Sequence, residues 1–359
     1  MAENIAGIDP HQNNFTIGVI DPNGVEISHD SFDNTGEGYI KAIDLLSNHD
    51  VGLVGVEGSA KLGAHVSIAL AAAGFDCREV PPQRSAAQRQ TRRLAKTDVV
   101  DSYSTARALL AEPTLSPVQA LETVDPYLAE LEAVLEHRRM LVSVRIVMLT
   151  QVADQIVKLP SEICDQLTLK GSVPSRLNQF DNINLEVAST LAGEYRLSWL
   201  IPFIRKDREQ AKEIKGLEKK IVVLLDQHGT SLREEDGIGP IAAATLLCEV
   251  GDPFRFSSES KFSRWCGVGA VALSSGEGRN KPMRHRLDMG GNRRVNSVIH
   301  VMSVTQVRAN EKAKQYLERK TSEGKTRKEA RRAHKKQLAN RIIRRMWKDQ
   351  KHLKQQTAA

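Results

Sequence analysis

The chain has 359 residues, 40% hydrophobic, only 4% aromatic and 26% charged, with 51 Lys plus Arg against 44 Asp plus Glu and a formal net charge of +7. That length holds two or three domains with cores of their own, while so few aromatic residues exclude a groove that reads bases chiefly by stacking. The longest apolar run, Ile241 to Cys248, is too short to cross a bilayer, and Cys77, Cys164, Cys248 and Cys266 lack the spacing of structural zinc ligands.

Segments that alternate strand and helix fill the first 112 residues. Ile5 to Asp9, Phe15 to Ile20 and Val25 to Phe32 read as strands, the latter two joined by a hairpin turn at DPNG, Asp21 to Gly24. A helix over Gly36 to His49, a strand over Val51 to Val56, a helix over Leu62 to Ala73 and a short strand over Cys77 to Val80 follow, the last stopped by Pro81 and Pro82. Tyr103 to Leu110 is helix-like. Strand, hairpin, strand, helix, strand and acid-bearing helix is the order an RNase H-like α/β fold requires.

Four acids mark this segment. Asp9 closes the first strand in IAGIDPHQ, Glu57 closes another in GLVGVEGS, and Asp98 and Asp101 in AKTDVVDS stand three apart, on one face of a helical turn. Each alone has an ordinary use as a turn residue or helix cap. Together they resemble a cage for Mg2+, since hard cations take oxygen ligands and two of them ~4 Å apart can serve both the attacking and the leaving oxygen of a phosphodiester. Lys96 sits among them, and Arg84, Arg89, Arg92 and Arg93 form a basic run just before, placed to meet a nucleic-acid backbone or to face solvent.

Pro113 and Pro117 mark a boundary. Pro126 to Leu159 is a long helical pattern with Leu128, Leu131 and Leu135 on one face. In a second, Phe203 to His228, the positions Ile214, Leu217, Ile221 and Leu224 step by three and four, as in a coiled-coil seam. That seam either joins two subunits or folds back on the first helix. Ser161 to Leu200 reads as short helices.

The third segment opens with GIGP, where Gly237, Ile238 and Gly239 turn into a helix starting at Pro240. The pattern resembles a helix-hairpin-helix, whose exposed N–H groups suit a phosphate; it is equally an ordinary connection between helices. A glycine-rich stretch then gathers Ser274, Ser275, Arg279, Lys281, Arg284, His285, Arg286, Arg293 and Arg294, a hydroxyl among phosphate-binding cations. Taken alone, SSG is ordinary turn chemistry. From Arg308 onward there are 18 Lys plus Arg against 5 acids, whereas the first 307 residues carry 33 against 39. Arg331, Arg332, Lys335, Lys336, Arg344 and Arg345 recur at near-helical spacing, which suits neutralising phosphates.

Taken in order, the blocks GIDPHQ, VGVEGS, AKTDVVDS, GIGPIAAATLLCEVGD, SSGEGRNKPMRHRL, GGNRRVN and ERKTSEGKTRKEA resemble the DEDD-type insertion-sequence transposases that act as bridge-RNA-guided serine recombinases. The resemblance implies a RuvC-like DEDD domain over residues 1–112, a helical coiled-coil and dimerisation region over 113–229, a mainly α transposase domain over 230–307 and a basic helical tail over 308–359. It implies Asp9, Glu57, Asp98 and Asp101 as both metal ligands and catalytic residues, and Ser275, which precedes the glycine of the motif, as the nucleophile, with Ser274 a lesser alternative. Implied partners are donor and target DNA, a structured guide RNA and further copies of the chain, with no membrane. One departure stands out, because family members carry a basic residue soon after the first aspartate and here Pro10, His11 and Gln12 follow it. The rival readings are a RuvC-type endonuclease or junction resolvase that uses water, and a non-catalytic nucleic-acid scaffold. No leader pattern is visible at the N-terminus, so the expectation is a reduced, cytoplasmic protein.

Overall fold

A computed structural model describes residues 3–59, 62–92, 95–118, 126–168, 170–182, 190–273, 284–287 and 291–357. The chain divides into two compact units, one made of residues 1–125 with 230–359 and the other of 126–229.

The larger unit is built on a five-stranded mixed sheet of β1 (Asn4–Pro10), β2 (Asn14–Ile20), β3 (Glu26–Asp33), β4 (Val51–Glu57) and β5 (Asp76–Val80), in the order β3-β2-β1-β4-β5. β1, β2 and β3 run as an antiparallel meander, and β4 and β5 join in parallel. This topology fits an RNase H-like fold. α1 (Gly36–Asn48) and α2 (Ala64–Ala72) cover one face, where Ala6, Ile8, Ile17, Val54 and Val56 meet Ala42, Leu46, Val66 and Leu70. α3 (Pro82–Thr91) follows β5, and α4 (Asp98–Ala111) covers the opposite face through Tyr103, Ala106 and Leu109.

Strand alternation decides what α4 meets. Ala6 and Ile8 point to α1 and α2, so Gly7 and Asp9 point to α4, and likewise Gly55 and Glu57 on β4. Gly18, Gly7 and Gly55 stand side by side across three strands. A Cβ on Gly7 would overlap the backbone of Ser102 and Ala106, and one on Gly18 would lie 2.7 Å from Ser102 Oγ and 2.8 Å from Tyr103 Cδ1. The bare glycine strip lets α4 lie directly on the sheet. Two residues further along both β1 and β4, the same face carries Asp9 and Glu57.

The second part of this unit is helical. It comprises α9 (Pro240–Val250), α10 (Glu259–Trp265), α11 (Arg293–Ala309), α12 (Glu311–Ser322) and α13 (Arg327–Thr357), with a two-stranded ribbon, β6 (Ala270–Leu273) and β7 (Arg284–Leu287). Glu79 of β5 anchors it to the sheet, accepting from Trp265 Nε1 at 3.1 Å and from the Arg255 guanidinium, whose side chain is nearly covered, at 3.2 Å.

In the smaller unit α5 (Pro126–Ile156) and α8 (Leu191–His228) pair antiparallel, joined through the short helices α6 (Ser161–Cys164) and α7 (Val173–Leu177). Their ion pairs run in opposite chain directions: Glu130 with Lys220 at 2.7 Å, Arg138 with Glu218 at 2.6 Å and Arg145 with Asp207 at 2.7 Å. Ile214, Ile221 and Leu224 are buried within this unit, where α8 packs on α5, which is the fold-back of the two uses open to the seam. α8 begins twelve residues before the expected start, running through Pro202 without stopping. Among the described residues no helix is long and apolar enough to cross a membrane.

Candidate metal centre

The four acids come from three elements that the sheet and the glycine strip bring together. Asp9 and Glu57 extend beyond the last apolar residues of β1 and β4, and Asp98 and Asp101 occupy the first turn of α4. Thr97 caps that helix, its Oγ1 accepting from Val100 N at 3.2 Å, and the helix dipole favours acids at this end.

His11, two residues past Asp9, inserts its Nε2 between two of the carboxylates, 3.3 Å from Asp9 Oδ2 and 3.2 Å from Asp98 Oδ1. The three ligand atoms lie within 4.8 Å of one another, a grouping that suits a divalent cation. Although it is buried, that nitrogen makes no hydrogen bond. A lone nitrogen lodged between two oxygens fits a site whose donors converge on an ion rather than on each other. Burial raises the Asp9 carboxyl to about 6; His11 opposes the shift, and Asp101, Glu57 and Asp98 add to it. The Glu57 carboxyl is also raised, first by burial, while Ser85, Arg89 and Lys96 pull it down.

The remaining two acids are held by α3. Ser85 Oγ donates to Glu57 Oε2 and the Arg89 guanidinium pairs with Asp101 Oδ1, so positions four apart on one helix face each hold one acid. Arg89 therefore faces the acids, not the open path expected of a backbone-binding residue. Ser85 and α3 itself have no counterpart in the sequence reading, although Pro82 at the first helical position was a usable start signal. Lys96 is exposed and acts on Glu57 through its charge.

A cleft of about 600 Å³ opens beside Gly58, the neighbour of Glu57, and is lined by Arg84, Lys261, Arg264, Arg293 and Arg294 among others. Several of these cations have internal partners: Arg84 and Arg264 share Glu112 at 3.5 and 2.7 Å, and Arg294 reaches Glu249 at 2.8 Å. Arg92 is exposed. Gly237 has φ +84°, and its turn is tied to α11 by Gln306, which donates to Asp236 O at 2.7 Å. Arg284 and Arg286 lie in β7, where the backbone alone is described. Arg93, Ser274, Ser275, Arg279 and Lys281 lie outside the described residues.

The basic tail forms α13, and its arginines divide. Arg341 and Arg345 pair with Glu235, and Arg344 with Glu259, so the expected run of phosphate-facing charge loses its second half to internal pairs. Arg331, Arg332, Lys335 and Lys336 precede that half.

Two family models match the chain. One, a DEDD-type IS110 model described as a transposase, takes in residues 6–158; the other, described as a transposase of the IS116/IS110/IS902 family, takes in residues 229–318. A curated relative from Sinorhizobium fredii (strain NBRC 101917 / NGR234) that carries a transposase name, y4pF/y4sB, is 40% identical over 63 residues, which is 17% of this chain and only 16% of that protein. Among solved structures, T. thermophilus RuvC in complex with Holliday junction substrate matches at TM-score 0.27 and 15% identity over 32% of this chain and 99% of its own. Another Thermus thermophilus RuvC structure matches at TM-score 0.26 with the same identity and coverage. These structural likenesses are too slight to argue from. The two family models agree with each other and between them take in the acid-bearing sheet and most of the C-terminal helical part; over these two stretches the chain is similar to transposases of the IS110 family.

Proposed function

We propose that this chain cuts and rejoins DNA strands as the transposase of an insertion sequence, using a divalent-cation centre at Asp9, Glu57, Asp98 and Asp101 and the Ser275 hydroxyl as nucleophile, with a structured RNA as guide. The observation that supports the reading is the convergence of Asp9, His11 and Asp98 at the end of the sheet, beside Glu57 and Asp101, in a chain that two transposase family models match. Mg2+ bound there would polarise a phosphate oxygen and offset the negative charge that builds during displacement. The chain supplies the rest. Strand ends fix Asp9 and Glu57, α3 holds Glu57 and Asp101 through Ser85 and Arg89, and the cations beside Gly58 draw the sugar-phosphate backbone toward the acids. Attack by Ser275 Oγ, whose hydroxyl proton passes to water, forms an O–P bond as the bond from phosphorus to the departing strand oxygen breaks, and that oxygen takes up a proton.

A second reading, a RuvC-type nuclease that uses water, draws on His11, a ring nitrogen already seated between two acids and able to orient a water molecule. Ser275→Ala separates the two. Incubated with donor and target DNA and the RNA that co-purifies with it, this variant neither cuts nor joins under the first reading and keeps cutting under the second. A denaturing gel of the wild-type reaction should show DNA covalently attached to protein, lost in Ser275→Ala and retained in Ser274→Ala. Asp9→Asn tests the scaffold alternative, which predicts unchanged function. Sequencing the co-purifying RNA tests guidance: one defined structured species supports it, and a random mixture counts against it. With the Ile214 to Leu224 seam committed to α5, the exposed stripe Met140, Val144 and Val147 on α5 is the apolar face for a homo-oligomer, whether dimer or tetramer.

A further inference from the structure

A groove of about 300 Å³ runs between α11 and the first turns of α13, lined by His300, Arg327, Lys328, Arg331, Arg332 and Lys335. Every lining side chain is basic, and none carries a carboxylate. The start of α13 is fixed by a capping box: Thr326 N donates to Glu329 Oε2 at 2.9 Å and Glu329 N to Thr326 Oγ1 at 3.3 Å. Arg327, Lys328 and Arg331 are exposed, as is His300 across the groove. Lys335 differs from them. It is 8% exposed, its Nζ donates at 3.0 Å to the neutral amide oxygen of Asn296, and no carboxylate pairs with it among the described residues. Burial lowers its affinity for its proton, with no opposing charge to restore it.

A buried ammonium with no carboxylate partner among the described residues, lined by five more basic side chains, costs the free chain stability that an anion would return. The contrast lies within one helix, since the later arginines of α13 are matched to Glu235 and Glu259. Aromatic rings are missing from the lining, so bases have nothing to stack on, and the volume suits a phosphate or two.

We propose that this groove seats the phosphodiester backbone of a nucleic-acid strand, by charge and without reading sequence, at a contact separate from the acidic centre. The assignment rests on the nucleic-acid chemistry proposed above and narrows it, placing the tail's phosphate contact on the first turns of α13 with His300 and not along its whole length.

The test uses the full chain in EDTA, with a fluorescent DNA duplex and an RNA hairpin of matched length followed by anisotropy across a salt series. Removing two phosphate contacts with Arg327→Gln plus Arg331→Gln should weaken binding about tenfold and flatten the slope of log affinity against log salt by about 2. Lys335→Met should weaken binding in the same direction while its thermal melt holds or rises; if that buried change disturbs folding, the surface pair carries the test. Lys348→Gln plus Lys351→Gln, late on the same helix, should leave the slope within half of the groove pair's change. Loss on DNA alone, on RNA alone or on both supports the groove and names the strand it holds. Wild-type affinity and slope in the groove pair, or an equal loss in the late pair, overturns it. A wild-type chain that binds neither probe overturns this assignment together with the broader nucleic-acid reading.

Discussion

The acidic end of the sheet and the groove beside α13 are both crowds of like charge, but the fold treats them oppositely. At the acids it supplies internal stand-ins: Arg89 against Asp101, Ser85 against Glu57 and His11 between Asp9 and Asp98. In the groove the buried Lys335 has a neutral amide and, among the described residues, no carboxylate. An internally tended cluster can hold its geometry before its ion arrives, which suits chemistry that tolerates little misplacement. A buried cation held by a neutral group depends on its ligand for neutralisation, which suits binding whose strength follows salt.

The sharpest way to break the first half of this comparison is to lift α4 off the sheet. Gly7→Val places a branched side chain where the backbone of Ser102 and Ala106 already stands, so the helix must move and carry Asp98 and Asp101 with it. Destabilisation of about 3 kcal/mol or more is expected, and thermal melts with and without Mn2+ should show both a fall in midpoint and loss of the metal-induced rise.

Asp9 gives the next largest effect, and its sign is informative. Its folded carboxyl titrates near 6 where an unperturbed one titrates at 3.8, so the protonated form favours the fold. That contribution is fully present below the unfolded value and is lost as pH rises through about 6. The metal-free chain should therefore lose stability between pH 4 and pH 6, on the order of 1–3 kcal/mol, read as a fall in melting midpoint. Asp9→Asn should flatten the fall. The midpoint rise on adding Mn2+ should show the reverse trend, shrinking below about pH 6 as the proton competes with the ion.

Smaller effects are expected from α3. Ser85→Ala and Arg89→Leu each leave one acid without its holder, and the Mn2+ dissociation constant measured by calorimetry should rise about tenfold. Smallest of all is Arg344→Gln, whose partner Glu259 lies near the surface; so exposed a pair contributes little to stability, and a thermal melt should barely register its loss.

Much of the sheet was legible in the sequence because its signal is local. Alternation across Ile5 to Asp9 and Val51 to Glu57 reveals both the strands and which face carries their final acids. α3 escaped because PPQRSAAQRQT is almost wholly polar, so hydrophobic spacing says nothing, and its two holders act across the fold on residues 28 and 12 positions away. The early start of α8 escaped because Pro202 is a strong local stop signal that tertiary packing of Leu197, Leu200 and Ile204 overrides. Arg344 and Arg345 read as free basic charge because their partners Glu259 and Glu235 are distant in sequence. Gly7, Gly18 and Gly55 were unread as a strip, since a glycine in a strand announces a close approach only once the neighbouring strands are in register.

The central claim is that the convergent acids bind a divalent cation. Calorimetric titration of the full chain with Mn2+ at pH 8 tests it most directly: saturable binding in the wild type that is lost in Asp9→Asn, with both chains folded by their melts, is the predicted result. Equal binding in the two, or none in either, would contradict it.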